Sequence, residues 1–68
     1  MSEQIFVNEA ATAAVSKFRN TSSGIGLLQA HCDFLAVVSE FQESSWVDKV
    51  IDRVEAAYEA NLMRVNKV

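Results

Sequence analysis

No proline occurs anywhere in this chain, and its only two glycines stand almost together, at Gly24 and Gly26. Proline and glycine are the strongest local interrupters of regular backbone. A chain this poor in them is free to run as long helices, and its apolar spacing agrees. Apolar or small side chains recur at Ala11, Ala14, Phe18, Thr21, Ile25, Leu28, Cys32, Leu35 and Val38. The steps are three and four residues, which trace one face of a helix. A second run repeats the spacing at Val47, Val50, Ile51, Val54, Ala57, Tyr58, Asn61, Leu62, Val65 and Val68. Asp48, Lys49, Asp52, Arg53, Glu55 and Glu59 fall mostly on its other side. Ile5, Phe6 and Val7 have some strand propensity, but one short run cannot build a sheet. The expected class is all-α.

The boundaries follow from capping chemistry. Residues 1–7 read as a flexible or extended lead. Asn8 is a good N-cap, and Glu9 beside it complements the helix dipole. A first helix, or helix pair, is expected from about residue 8 to 42. Its weak place is Asn20 to Gly26, where each glycine costs about 1 kcal/mol in a helix interior. Read locally, that segment is a loop with Ser or Thr caps. Read in register, the stripe passes straight through it and the helix continues. Ser44 and Ser45 can cap a second long amphipathic helix over about 45–66, with Asp48 three residues after Ser45 as a variant capping box. Two long helices joined by a short connection are antiparallel neighbours. The expected architecture is an antiparallel helical hairpin, broken or unbroken near 20–26, that associates into a four-helix bundle or a similar oligomer.

Size makes association attractive. With 68 residues the chain is one domain at most. A single core of this size contributes only about 3–5 kcal/mol net, so such chains commonly need a staple or a partner. One cysteine allows no intrachain disulfide, and one His with one Cys makes no ordinary four-ligand zinc site. Half of the residues are hydrophobic. They concentrate between Leu27 and Val38, where Leu27, Leu28, Phe34, Leu35, Val37 and Val38 do not fit one narrow stripe. A helix apolar over more than half its circumference is buried on more than one side, and one neighbour in a hairpin cannot cover it.

The charge balance excludes other roles. A formal net charge of −3 leaves six basic residues scattered among nine carboxylates, and nucleic-acid binders need clustered Lys and Arg. No stretch offers the roughly 20 apolar residues of a membrane span. The acidic start, Met1 to Gln4, lacks the features of a secretory signal, so the expected location is cytoplasmic, with export by a signal-independent route left open. No catalytic constellation is visible. His31 and Cys32 are adjacent and therefore point about 100° apart on a helix. Cys32 lies in the core stripe and reads as a buried small hydrophobe; His31 reads as a surface or interface residue. Asp48, Asp52, Glu55 and Glu59 read as a solvated acidic face, without the Glu-x-x-His pairs of a di-iron bundle. Gly24-x-Gly26 is not a phosphate loop. No cofactor or metal is expected, and the chain is not expected to be an enzyme.

What remains is protein binding. Leu28, Phe34, Leu35, Val38, Trp46, Ile51, Val54 and Tyr58 are the expected interface carriers, although spacing alone does not separate intrachain from interchain positions. The partner is a second copy or another helical protein. The Ala- and Ser-rich first segment, the Trp46 at the exit of a short turn, and Val54 and Tyr58 on the following helix resemble the WxG family. These are small helical hairpins of bacterial type VII secretion, together with the small partners of LXG toxins. The Ile5-Phe6-Val7-Asn8 lead and Ser22-Ser23-Gly24 also look like those partner proteins. The chain departs from the pattern at Asp48, where the family has Gly, and at Leu62, where its export signal has Asp or Glu. The resemblance implies a dimer, or a helical targeting partner of a larger effector. The alternatives are a cytoplasmic adaptor, chaperone or antitoxin-like regulator that masks a partner, and a structural assembly subunit.

Overall fold

Three residues, Thr21 to Ser23, decide the architecture. In the computed structural model, which describes residues 3–42 and 44–66, they leave the helical path and the chain reverses. Of the two readings of residues 8–42, one helix or a helix pair, the pair is formed: α1, Glu3–Asn20, and α2, Gly24–Val38. Ser23 is the N-cap of α2, with extended backbone, and its Oγ accepts the Gly26 N–H at 2.9 Å. Thr21 Oγ1 accepts the Ser23 N–H at 3.3 Å. These hydroxyls satisfy donors that a helix start leaves open. Continuing the helix offered less, because two glycines weaken it there.

Gly26 is required by this turn. A Cβ at that position would lie 2.3 Å from Thr21 Oγ1 and 3.2 Å from Ser23 Oγ. Gly24 has no such constraint, since nothing lies within 4 Å of a Cβ built there.

At its far end α2 tightens into a 3-10 turn, Ser39–Phe41. Ser39 Oγ donates to the Ala36 carbonyl at 2.8 Å. The last helix, α3, is Ser45–Asn66, preceded by Ser44, whose carbonyl accepts the Val47 N–H. Its bounds agree with the amphipathic helix expected over 45–66.

The product is three packed helices and not a simple hairpin. Both connections are short, so α2 runs antiparallel to α1 and to α3, and α1 and α3 run side by side in the same direction. The ends confirm the arrangement. Near the start of α1 the Phe6 ring sits against Phe41, centroids 6.1 Å apart. Near its end, Arg64 of α3 donates to the carbonyls of Phe18 and Thr21 at 2.9 and 3.0 Å. That guanidinium caps open carbonyls at a helix C-terminus.

The core runs through all three helices: Val7, Ala11, Ala14 and Phe18 from α1; Leu27, Ala30, Phe34 and Val38 from α2; Val47, Val50 and Val54 from α3. Ala11 and Ala14 are small members of this core, and Phe18 and Phe34 are its bulkiest side chains. No polar side-chain atom among the described residues is buried without a partner.

Two expectations at the start of the chain are corrected. Residues 3–7 of the flexible lead are helical, and Val7 is fully buried; its burial anchors the first turns of α1. Asn8 is therefore inside the helix and is not its cap: its Nδ2 donates to the Gln4 carbonyl at 2.9 Å. Met1 and Ser2 of that lead, Glu43 in the second connection, and Lys67 and Val68 lie outside the described residues.

Candidate interaction face

Helix α2 has two apolar faces. One turns inward through Leu27, Ala30, Phe34 and Val38, with steps of three, four and four. The other consists of Ile25, Leu28, Cys32 and Leu35, with steps of three, four and three, and all four are exposed. Ile25 is 80% exposed, Leu28 53% and Leu35 36%. The second set is the one that continues the α1 stripe in register, so the expectation that it packs inside is overturned, and with it the reading of Cys32 as a buried hydrophobe. The cause is the turn. Three non-helical residues reset the phase, so that, counted at 100° per residue, the core face of α2 lies about half a turn from the register that Ala11, Ala14 and Phe18 establish.

The eight expected interface residues separate accordingly. Leu28 and Leu35 stand on the outer stripe. Phe34, Val38 and Val54 are spent on the intrachain core. Ile51, Tyr58 and Trp46 are half-buried and pack against that core. Trp46 opens α3 and lines a shallow depression with Gln4, Asn8, Lys49, Val50 and Arg53, between the starts of α1 and α3. Ile25 belongs to the face but not to the expected set. Its sequence signal is the Ser23 cap: counted from that cap, Ile25 falls on the same side as Leu28 and Cys32.

His31, expected at the surface or at an interface, lies at the boundary between α2 and α3. Its Nε2 is 2.6 Å from Glu55 Oε1. The imidazole stacks on the Tyr58 ring, centroids 4.2 Å apart and 18° from parallel. Tyr58 in turn meets Phe18 of α1 edge-on at 5.5 Å. One aromatic column therefore joins all three helices.

This contact fixes what lies next to the outer stripe. Asp48, Asp52 and Glu59 sit three or four residues from Glu55 or from one another, so the four acids form a row along α3. Asp48, Asp52 and Glu59 are exposed. Glu55 is the member of the row that touches α2, through His31, and by helical position the other three continue the row around the exposed side of α3. The basic residues of α3 face elsewhere: Lys49 and Arg53 line grooves against Gln4, Asn8, Thr12 and Ser16 of α1. Like charges at this helical spacing repel by about 0.2–0.5 kcal/mol per pair. Of the row, Glu55 has His31 as a hydrogen-bond partner.

Among the described residues no group of three or more His, Cys, Asp or Glu could hold a metal ion. No helix there is long and apolar enough to cross a membrane. No family model, curated protein or solved structure matches this chain. Its interpretation rests on its own geometry.

Proposed function

We propose that this chain is a protein-binding module without catalytic chemistry, and that it binds through the outer face of α2. The observation that carries the reading is the apolar stripe of Ile25, Leu28, Cys32 and Leu35, left in water by a bundle whose interior is otherwise complete. Single exposed apolar residues are ordinary, but contiguous ones at helical spacing mark interaction sites. The spacing is that of a seam read by another helix, as in helix-in-groove recognition. The narrower role of a type VII partner or targeting factor draws its support from Trp46 at the first turn of α3 after a short connection. The three-helix arrangement is not the hairpin which that resemblance implies.

The test places a photo-crosslinking amino acid at position 28 or, as a control, at position 13 on the outer side of α1, in cells that produce the chain. A discrete adduct is expected from position 28 and none from position 13. Equal adducts, or none from position 28, would remove the docking reading.

A further inference from the structure

The outer face of α2 does not stand alone. It shares one surface with the acidic row of α3, because the His31–Glu55 contact brings the two helices together along that edge. The antiparallel register set by this contact places Leu35 level with Ile51, next to Asp52, and Leu28 level with Tyr58, next to Glu59. The surface is thus apolar along one half and anionic along the other, over the whole length of α2. Resting on the docking reading above, we infer that its occupant is an amphipathic helix from another protein, with aliphatic residues at three- and four-residue spacing and Lys or Arg along one flank. Laid along the groove, such a helix covers the α2 stripe and sets its cations against Asp48, Asp52 and Glu59. It becomes the fourth helix of the bundle.

Charge rules between this occupant and a second copy of the chain. A two-fold interface presents the same surface from both sides. If two copies met over both halves of this surface, either the acidic rows would face each other or each row would lie on the partner's leucines; a contact through the leucines alone would leave both rows without a counter-charge. The first arrangement repels, and the second desolvates carboxylates against apolar groups. Among the described residues no basic side chain borders the face to relieve it. Lys49 and Arg53 lie on the α1 side of α3, and Arg64 is bonded to α1 carbonyls. A foreign basic flank removes the difficulty, and it also relieves the repulsion within the row.

The experiment uses the full chain and two synthetic amphipathic peptides of about 18 residues, long enough to span α2. They carry identical leucine stripes, one with a Lys flank and one with a Glu flank. Affinity is read by fluorescence anisotropy at low and high salt. The Lys peptide is expected to bind about tenfold more tightly at low salt, with the margin shrinking as salt screens it. Asp52→Lys with Glu59→Lys should reverse the preference, and Asp52→Asn with Glu59→Gln should abolish it, while Leu28→Ser weakens both peptides. Circular dichroism confirms that each variant keeps its helices. Equal affinities, or a preference for the Glu peptide, overturn the basic partner; if Leu28→Ser still weakens both, the docking reading stands. A dimer mass in light scattering that Leu28→Ser abolishes makes the occupant a second copy and overturns the inference. Binding of neither peptide overturns it as well, and together with no adduct from position 28 it overturns the docking reading too.

Discussion

At the scale of single residues, the turn between α1 and α2 is the most demanding place in the chain. Gly26→Ala puts a methyl 2.3 Å from Thr21 Oγ1, and is expected to cost about 1–3 kcal/mol as an overpacked site. Thr21→Ala removes the clashing atom, so the double variant should lose less than the sum of the two single changes. Gly24→Ala meets nothing and should stabilise by about 0.4–1 kcal/mol, by restricting the unfolded chain. Urea unfolding of the four variants checks all three statements. Cys32 offers a chemical probe of the same turn. Because its thiol is exposed, Ellman's reagent should label the folded protein at a rate close to that in denaturant. Protection by orders of magnitude would place Cys32 inside and restore the continuous register.

At the scale of elements, legibility followed the strength of local signals. Helix α3 was readable from its spacing because no glycine or proline interrupts Ser45–Asn66 and its charged residues segregate from its apolar ones. The all-helical class was readable for the same reason. The core face of α2 was not. Phe18, Thr21 and Ile25 happen to be spaced by three and four across a turn, so periodicity counted straight through it carries the α1 phase into α2. The Ser23 cap resets that phase, and a cap is a hydrogen bond that spacing does not register. The helical start of α1 was missed because Val7 earns its place by packing against residues distant in sequence. The column of His31, Tyr58 and Phe18 was likewise invisible, since it depends on which faces of the three helices meet. Arg64 shows how elements are held in this register. Its bonds to the Phe18 and Thr21 carbonyls fasten the end of α3 to the end of α1. Arg64→Ala is expected to destabilise by about 1 kcal/mol and to speed amide exchange mainly in the last turns of α1 and α3. Uniformly faster exchange throughout the bundle would argue against a local clamp.

At the scale of the whole molecule, three helices close one core and leave a second apolar face uncovered. The excess of apolar residues between Leu27 and Val38 is thereby divided. Its inner half is met by α1 and α3, and its outer half is the proposed seat of a partner helix. A ligand that binds only the folded chain adds stability by mass action, so occupancy of this face should raise the unfolding midpoint of a marginal domain. Core and docking face alike require α2 to turn Leu27 inward and Leu28 outward. The most direct test compares urea unfolding of Leu27→Ala and Leu28→Ala at micromolar concentration. Leu27→Ala is expected to cost about 2–5 kcal/mol, enough to remove most of the stability of so small a domain. Leu28→Ala should stay within about 0.5 kcal/mol of the parent. If Leu28→Ala cost as much as Leu27→Ala, or Leu27→Ala cost nothing, α2 would be packed in the other register and the proposed face would not exist.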